Sequence, residues 1–395
     1  MMSTSFALQH KKNRLYYALL AGAGLVVLLA LYAVSLMEEE GHIITGMNNQ
    51  IVWGMPHVFA IFLIVAASGV LNVASIGSVF GKAIYKARAP LAGLLSIAML
   101  SGGLAVLMLD LGRPERFMLP ALDFNITSVF AWNTVLYSGM FGLVIAYLWS
   151  MMEKRMNVYS KPLGVAVFAW RFVLTTGTGL IFAFLTAREA YGSAVLPPMF
   201  IVMSFAWGMA VFHIVQMVIY AWNDKELEPE ILERKKRLLG IFVLGSLYMV
   251  VAYHMTNLYF AHRMGFERFI LLDGGVYPAL FWWGYVLIGN VLPLALIFLP
   301  GMKTRKSAML ASLAVVLGGF AFLYVFIIGG QAYPLNLFPG YQVSSTFGDG
   351  QIGSYTPSIY EILLGFGGLA IAFIITTVSV HVLNFMPHDK SYIAD

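Results

Sequence analysis

Ten long apolar segments divide this 395-residue chain, and they leave it few folds. They lie at roughly 16–36, 55–79, 91–111, 128–152, 163–186, 198–221, 238–259, 277–300, 307–330 and 358–386. Each is long enough to cross a hydrocarbon core about 30 Å thick, which needs about 20 residues of helix. In lipid the backbone must satisfy its own hydrogen bonds, so only helices or a closed barrel can span. The apolar runs do not alternate with polar residues, which selects helix over barrel. Hydrophobic residues make up 60% of the chain and charged residues 11%, where a soluble domain carries about 25% charged. The expected class is therefore all-α, a polytopic membrane protein of ten transmembrane helices.

Orientation follows from Lys and Arg. The N-terminus, the loops after segments two, four, six and eight and the C-terminal tail together hold 18 of these residues. The opposite loops hold 5, and Arg171 lies inside segment five. The positive-inside rule then places both termini in the cytoplasm, with the chain in the cytoplasmic (inner) membrane of a bacterium or archaeon. The first segment has a basic flank like a signal peptide's. It is long and has no clear small-residue cleavage site, so it is read as a retained anchor. The net charge of +5 lies in short loops, so topology accounts for it and nucleic acid is not an expected partner. The chain has no cysteine, which excludes disulfides, thiol catalysis and an iron–sulfur cluster held by this chain alone.

Three short strings recur at nearly one offset: Trp53-Gly54-Met55 at Trp207-Gly208-Met209, Glu115-Arg116-Phe117 at Glu267-Arg268-Phe269, and the Phe130/Trp132 pattern at Phe281/Trp283. They suggest two four-helix bundles of the same orientation, with one added helix at each end of the chain. The expected organisation is an anchor helix and outer loop over 1–54, a first bundle over 55–197, a second over 198–330, and an outer loop with the last helix over 331–395.

Polar residues gather at the outer ends of the helices. Asn48, Asn49 and Gln50 precede His57, which opens segment two, and Asp110-Leu-Gly-Arg113-Pro-Glu-Arg116-Phe117 closes segment three. Asn133, Arg188, Glu189, His254, Asn257, Tyr259, His262 and Glu361 lie at the same level. Charged groups against a lipid-length helix cost several kcal/mol unless paired or hydrated, and often mark a site. An imidazole and a carboxylate at the rim of a bundle suit a quinone head group: one hydrogen-bonds a carbonyl, the other takes the proton. A competing account is that helix ends simply meet water, with Arg113 neutralising Asp110 or capping the helix. A second set runs inward: Asn72, Arg171, Thr175, Thr176, Thr178, His213 and Gln216. Arg171 either extends back to the interface or joins His213 in a hydrated proton path. Gly177 and Gly179 fit close helix packing. No helix carries the paired histidines that stacked b-haems need, and no metal-ligand spacing occurs, so neither haem nor a metal site is expected.

The Asp110–Phe117 run, Trp53-Gly-Met-Pro-His57, and Tyr355-Thr-Pro-Ser358 followed by Glu361 resemble the NrfD/PsrC family of respiratory membrane subunits. With its ten helices and the Gln331-x-Tyr333-Pro334 … Phe338-Pro339-Gly340 loop, the chain is most similar to that family's DsrP branch, from the DsrMKJOP complexes of sulfur metabolism. The resemblance implies a haem-free subunit, inactive alone, that binds quinone or menaquinone near the outer face. It implies a periplasmic ferredoxin-like iron–sulfur subunit as electron partner, with further membrane or cytochrome subunits. By position, His57, Asp110 and Arg113 match the family's reactive residues. Asn49, Trp53, Arg116 and Asn133 complete the expected quinone site. One departure stands out: polysulfide reductase relatives carry an asparagine one turn before the histidine, where this chain has Gly54, leaving Asn48 or Asn49 to substitute. Two other readings remain open, a secondary transporter built on the repeated bundle and a structural anchor with no redox site of its own.

Overall fold

The computed structural model describes residues 6–7, 13–225, 227–273, 275–302, 304–335, 350–383 and 385–387. Phe338, Pro339 and Gly340, on which part of the family resemblance rests, lie outside these residues. Among the described residues, ten helices are long and apolar enough to cross a membrane. They are α1 (Arg14–Glu39), α2 (Met55–Ser78), α3 (Ala89–Leu109), α4 (Val129–Met152), α5 (Lys154–Ala183), α6 (Leu196–Trp222), α7 (Pro229–Tyr259), α8 (Val276–Phe298), α9 (Arg305–Ala332) and α10 (Ile359–Val382). Among the described residues the only strand pairing is a two-residue antiparallel contact of Phe6–Ala7 with Met386–Pro387, which brings a stretch ahead of α1 to one beyond α10.

Helix starts follow local chemistry. The Asn13 side chain accepts from the Tyr16 N–H at α1, and Thr304 and Ser358 form reciprocal capping boxes at α9 and α10. Prolines occupy the first turns of α2, α3 and α6, where an amide hydrogen would have no partner within the helix. The starts of α5 and α7 differ most from the sequence expectation, each nine residues early, and α7 has a clear cause. Its added turns are charged, and the Glu230–Arg234 and Glu233–Arg237 pairs at i,i+4 support them beyond the apolar run.

Helix α2 is the hub, buried over 94% of its most apolar stretch, whereas α1 is buried over 17%. α2 packs on α3, α5, α6, α9 and α10, and α1 packs chiefly on α10, which also lies along α3. The two added helices therefore sit side by side. α2 crosses α6 at Gly69 and Gly208, where a Cβ on either would collide with the other backbone. Gly179 meets the Pro197 backbone in the same way. α8 and α9 contain π-helical stretches, Leu280–Val291 and Tyr324–Gly329. Two of the three recurring strings fall on corresponding places, after α3 and α7 and near the starts of α4 and α8. The third does not: Trp53-Gly54 precedes α2, while Trp207-Gly208 lies mid-way along α6. By helix start, the counterpart of His57 is Pro198.

Candidate functional site

The end of α3 and the start of α2 meet at one place. Asp110 is the residue at which α3 stops, and its carboxylate is almost wholly buried. His57, in the first turn of α2, places Nδ1 2.9 Å from Asp110 Oδ2 and keeps part of its ring exposed. A second imidazole approaches from the short helix His42–Ile44: His42 Nε2–H donates to the Asp110 backbone carbonyl at 3.1 Å and stands 4.0 Å from Oδ1. The Trp53 indole stacks on the His57 ring with centroids 5.8 Å apart, and the Phe182 ring meets Trp53 edge-on. Two imidazoles thus stand around one sequestered carboxylate. With Nδ1 turned to Asp110, Nε2 is the His57 atom left for a ligand.

The segment that delivers His57, residues 46–54, has no regular secondary structure of its own, so other elements must fix it. Gln331, at the end of α9, does so with both ends of its amide: Oε1 accepts from the Val52 and Trp53 N–H groups, and Nε2 donates to the Trp53 carbonyl. Arg188 donates to the Gln50 carbonyl at 2.6 Å and to the Gln331 carbonyl at 2.8 Å. Partial burial lowers the Arg188 pKa from its ordinary value, with the nearby Tyr191 opposing the shift. Glu361, fully buried in the first turn of α10, accepts from the Gly46 and Ser358 N–H groups and from the Tyr355 hydroxyl. That hydroxyl in turn accepts from the Met55 N–H, two residues from His57. Burial and the Glu361 carboxylate push the Tyr355 phenol well above its ordinary range, so it stays a donor.

This clamp gives the Gly54 departure a physical reason. A Cβ at Gly54 would collide with Glu361 Oε1 and come within 2.8 Å of the Tyr355 hydroxyl. An asparagine there would have to displace the Glu361–Tyr355 pair.

The other expected site residues fall in different surroundings. Asn49 is exposed in the loop. Its neighbour Asn48 is spent on an Asx turn, its side-chain oxygen accepting from the Gln50 and Ile51 N–H groups. Arg113 and Arg116 are exposed; among the described residues the carboxylate near Arg116 is Glu115 at 3.9 Å, and none lies within ion-pair distance of Arg113. The contacts expected of Arg113 toward Asp110 are made by His57 and His42. Asn133 is buried between α4 and α5, donating to the Val129 and Gly177 carbonyls, where it ties two helices together. His42, Gln331 and Glu361 were the residues that position the site without having been assigned to it. The Ser358-x-x-Glu361 spacing is that of a capping box, but only the fold shows that the same carboxylate reaches Gly46.

Elsewhere at this end, Glu267, fully buried, holds His254 Nδ1 at 2.6 Å and the Asn257 side-chain amide at 2.7 Å, and Arg263 donates to Asn257 and to the Gly192 carbonyl. Inside the bundle Arg171 does not reach back to the interface. Its guanidinium donates to Asn72 at 2.6 Å and lies against the rings of Phe168, Phe172 and Phe205. His213 is buried on α6, and among the described residues neither ring nitrogen has a hydrogen-bond partner.

Ten helices long and apolar enough to span, among the described residues, define a polytopic membrane protein with a His–Asp contact at the mouth of its hub helix. The family described as "Polysulphide reductase, NrfD" matches residues 43–334, and the protein belongs to it. It is 29% identical over 380 residues to the Hdr-like menaquinol oxidoreductase integral membrane subunit of Archaeoglobus fulgidus, covering 94% of each protein. It is 23% identical to a selenate reductase subunit of Mesobacillus selenatarsenatis, covering 96% of each. It is also 23% identical to a polysulfide reductase component of Wolinella succinogenes, covering 72% of this protein and 96% of that one.

Proposed function

We propose that this protein is the quinone-reactive membrane subunit of a respiratory oxidoreductase complex, and that His57 and Asp110 bind and deprotonate the quinol head group. The contact between Nδ1 of His57 and the sequestered Asp110 carboxylate carries this reading. His57 Nε2 accepts a hydrogen bond from a quinol hydroxyl, and Asp110 stabilises the imidazolium as the proton arrives. Two-electron oxidation releases two protons and a quinone, or runs in reverse. The electrons pass to a redox partner, since this protein has no cysteine with which to hold an iron–sulfur cluster. The name of the Archaeoglobus relative, a menaquinol oxidoreductase subunit, favours menaquinone as the carrier.

The partner on this reading is a periplasmic ferredoxin-like iron–sulfur subunit, with further membrane or cytochrome subunits completing the complex. The loop following Asp110 supports a docking face at this end. Leu111, Phe117, Met118, Leu119, Leu122 and Ile126 are exposed in a segment that belongs to no spanning helix. By the positive-inside rule this end faces the periplasm of a cytoplasmic membrane, with both termini inside. The polysulfide relative favours sulfur metabolism as the setting. Residues 55–197 and 198–330 act as two four-helix units on this account, with the first carrying the site. Trp53 packs beside the ring, and Arg113 and Arg116 belong to the rim that the partner covers. The test is quinol turnover by the assembled complex. His57→Ala abolishes it while assembly persists; normal turnover in that variant refutes the assignment.

A further inference from the structure

Quinol oxidation at His57 and Asp110 leaves His42 without a task. This residue opens the short helix His42–Ile44 between α1 and α2, 68 positions from the carboxylate it meets. Its Nε2–H donates to the Asp110 carbonyl oxygen at 3.1 Å and stands 4.0 Å from Asp110 Oδ1. Both acceptors belong to one residue, so a slight turn of the imidazole trades one for the other. Asp110 Oδ1 is buried and among the described residues accepts no hydrogen bond, while Oδ2 faces His57 Nδ1. The carboxylate thus has an open acceptor on the His42 side. The three side chains also form a gradient toward water: 1% exposed for Asp110, 17% for His57 and 30% for His42. Asp110 is the titratable side chain within ion-pair distance of His42 among the described residues, with His57 of α2 behind it. Glu38, Glu39 and Glu40, just before it in the chain, are exposed.

We propose that His42 is the proton relay of this site, a role that rests on the quinol reading above: it takes from Asp110 the proton that His57 removes and hands it to water. Each quinol delivers two protons, and the first must leave before His57 can take the second. A head group held at His57 Nε2 covers the part of that ring left exposed, and Asp110 has no open side of its own. The remaining way out, among the described residues, runs from Asp110 Oδ1 to His42. The quinol O–H bond breaks as the His57 Nε2–H bond forms, and the Nδ1 proton of His57 passes to Asp110 Oδ2. Rotation of the carboxyl group presents that proton to His42 Nε2, and the proton on His42 Nδ1 departs to water. No electron moves in these transfers; the two electrons go to the redox partner. Imidazole suits the task because it takes up and returns a proton near neutral pH, one nitrogen receiving while the other releases.

Steady-state quinol oxidation by the assembled complex is measured for His42→Gln and His42→Ala beside His57→Ala. Glutamine keeps a donor for the Asp110 carbonyl but cannot pass a proton on. Turnover falls about tenfold or more while the quinol KM stays within about twofold, as for a group that acts on the chemical step and not on binding. The solvent deuterium isotope effect on kcat rises as proton exit becomes limiting, and the deficit shrinks as buffer concentration is raised. Alanine leaves room for free imidazole, which restores its turnover in a saturable manner. Either variant suffices where the other fails to assemble. Normal turnover in both, with His57→Ala inactive, overturns the relay and leaves the quinol site standing; normal turnover in all three overturns both. Slowed turnover that imidazole does not restore, with an unchanged isotope effect, or loss of assembly in both variants, makes His42 a strut for the end of α3 and overturns the relay.

Discussion

Replacing Glu361 by Gln tests whether a residue more than 300 positions away in sequence holds the segment before His57. The carboxylate takes three donors: Gly46 N–H and Ser358 N–H at 2.8 Å on Oε2, and the Tyr355 hydroxyl at 2.6 Å on Oε1. Hydrogen bonds to a charged group contribute about 1.5–3 kcal/mol each. Glutamine keeps one oxygen for the two amides and turns an NH₂ toward the hydroxyl. Tyr355 must then accept where it now donates, with its oxygen already engaged by the Met55 N–H. Losing one charged hydrogen bond and weakening two more costs about 2–3 kcal/mol locally. At 1.4 kcal/mol per decade, amide exchange at Gly46 and Met55 should accelerate by roughly 30- to 150-fold. Hydrogen–deuterium exchange of the purified complex reads this directly, with amides in α4 as the unaffected reference. Tyr355→Phe should couple to Glu361→Gln by about 1 kcal/mol or more. Exchange at Gly46 and Met55 within about threefold of wild type, or additive effects within about 0.5 kcal/mol, would refute the clamp.

Further outcomes follow from the same geometry. Asp110→Asn, nearly the same shape, should lower quinol turnover by roughly 10²-fold or more with the subunit still assembled, because His57 as general base, a role typically contributing about 10²–10⁴-fold, loses the carboxylate that stabilises its imidazolium; steady-state kinetics measures this. Gly54→Asn should displace Glu361 and Tyr355 and destabilise the segment by at least about 1–3 kcal/mol of overpacking, seen as faster exchange at Met55. Arg171→Met should be tolerated better than Asn72→Leu, because removing only the amide leaves a buried guanidinium uncompensated at a cost of about 3–5 kcal/mol; thermal stability in detergent ranks the two variants. Arg113→Gln should leave quinol turnover within about threefold while weakening association with the partner subunit, a rim-charge effect that grows at low salt.

Apolar length and loop charge make the helices legible, since lipid allows a long uncharged run few other structures. Boundaries failed where a different force took over, as at the start of α7, where ion pairs sustain a charged helix beyond the hydrophobic stretch. His57 and Asp110 could be singled out because polar residues abutting lipid-length helices are rare. Their contact could not, because it depends on α2 and α3 packing at a particular depth. The supporting residues were hidden for the same reason. Gln331 and Glu361 look like ordinary helix-end residues until the fold brings them to Val52, Trp53 and Gly46. Arg113 misled through proximity: three residues from Asp110 in sequence, it turns outward once α3 has ended, and His42, 68 positions away, takes the place beside the carboxylate. The Trp-Gly-Met recurrence misled as well, since identical letters fall before one helix and in the middle of another.

A photoreactive menaquinone analogue applied to the assembled complex tests the central claim most directly. Mapping the labelled peptides should place the ring's adduct between Trp53 and His57 or between Leu109 and Arg113, with labelling suppressed by unmodified menaquinone and lost in Asp110→Asn. Competable labelling confined to other helices, with these two stretches unmodified, would contradict the assignment of quinol chemistry to His57 and Asp110.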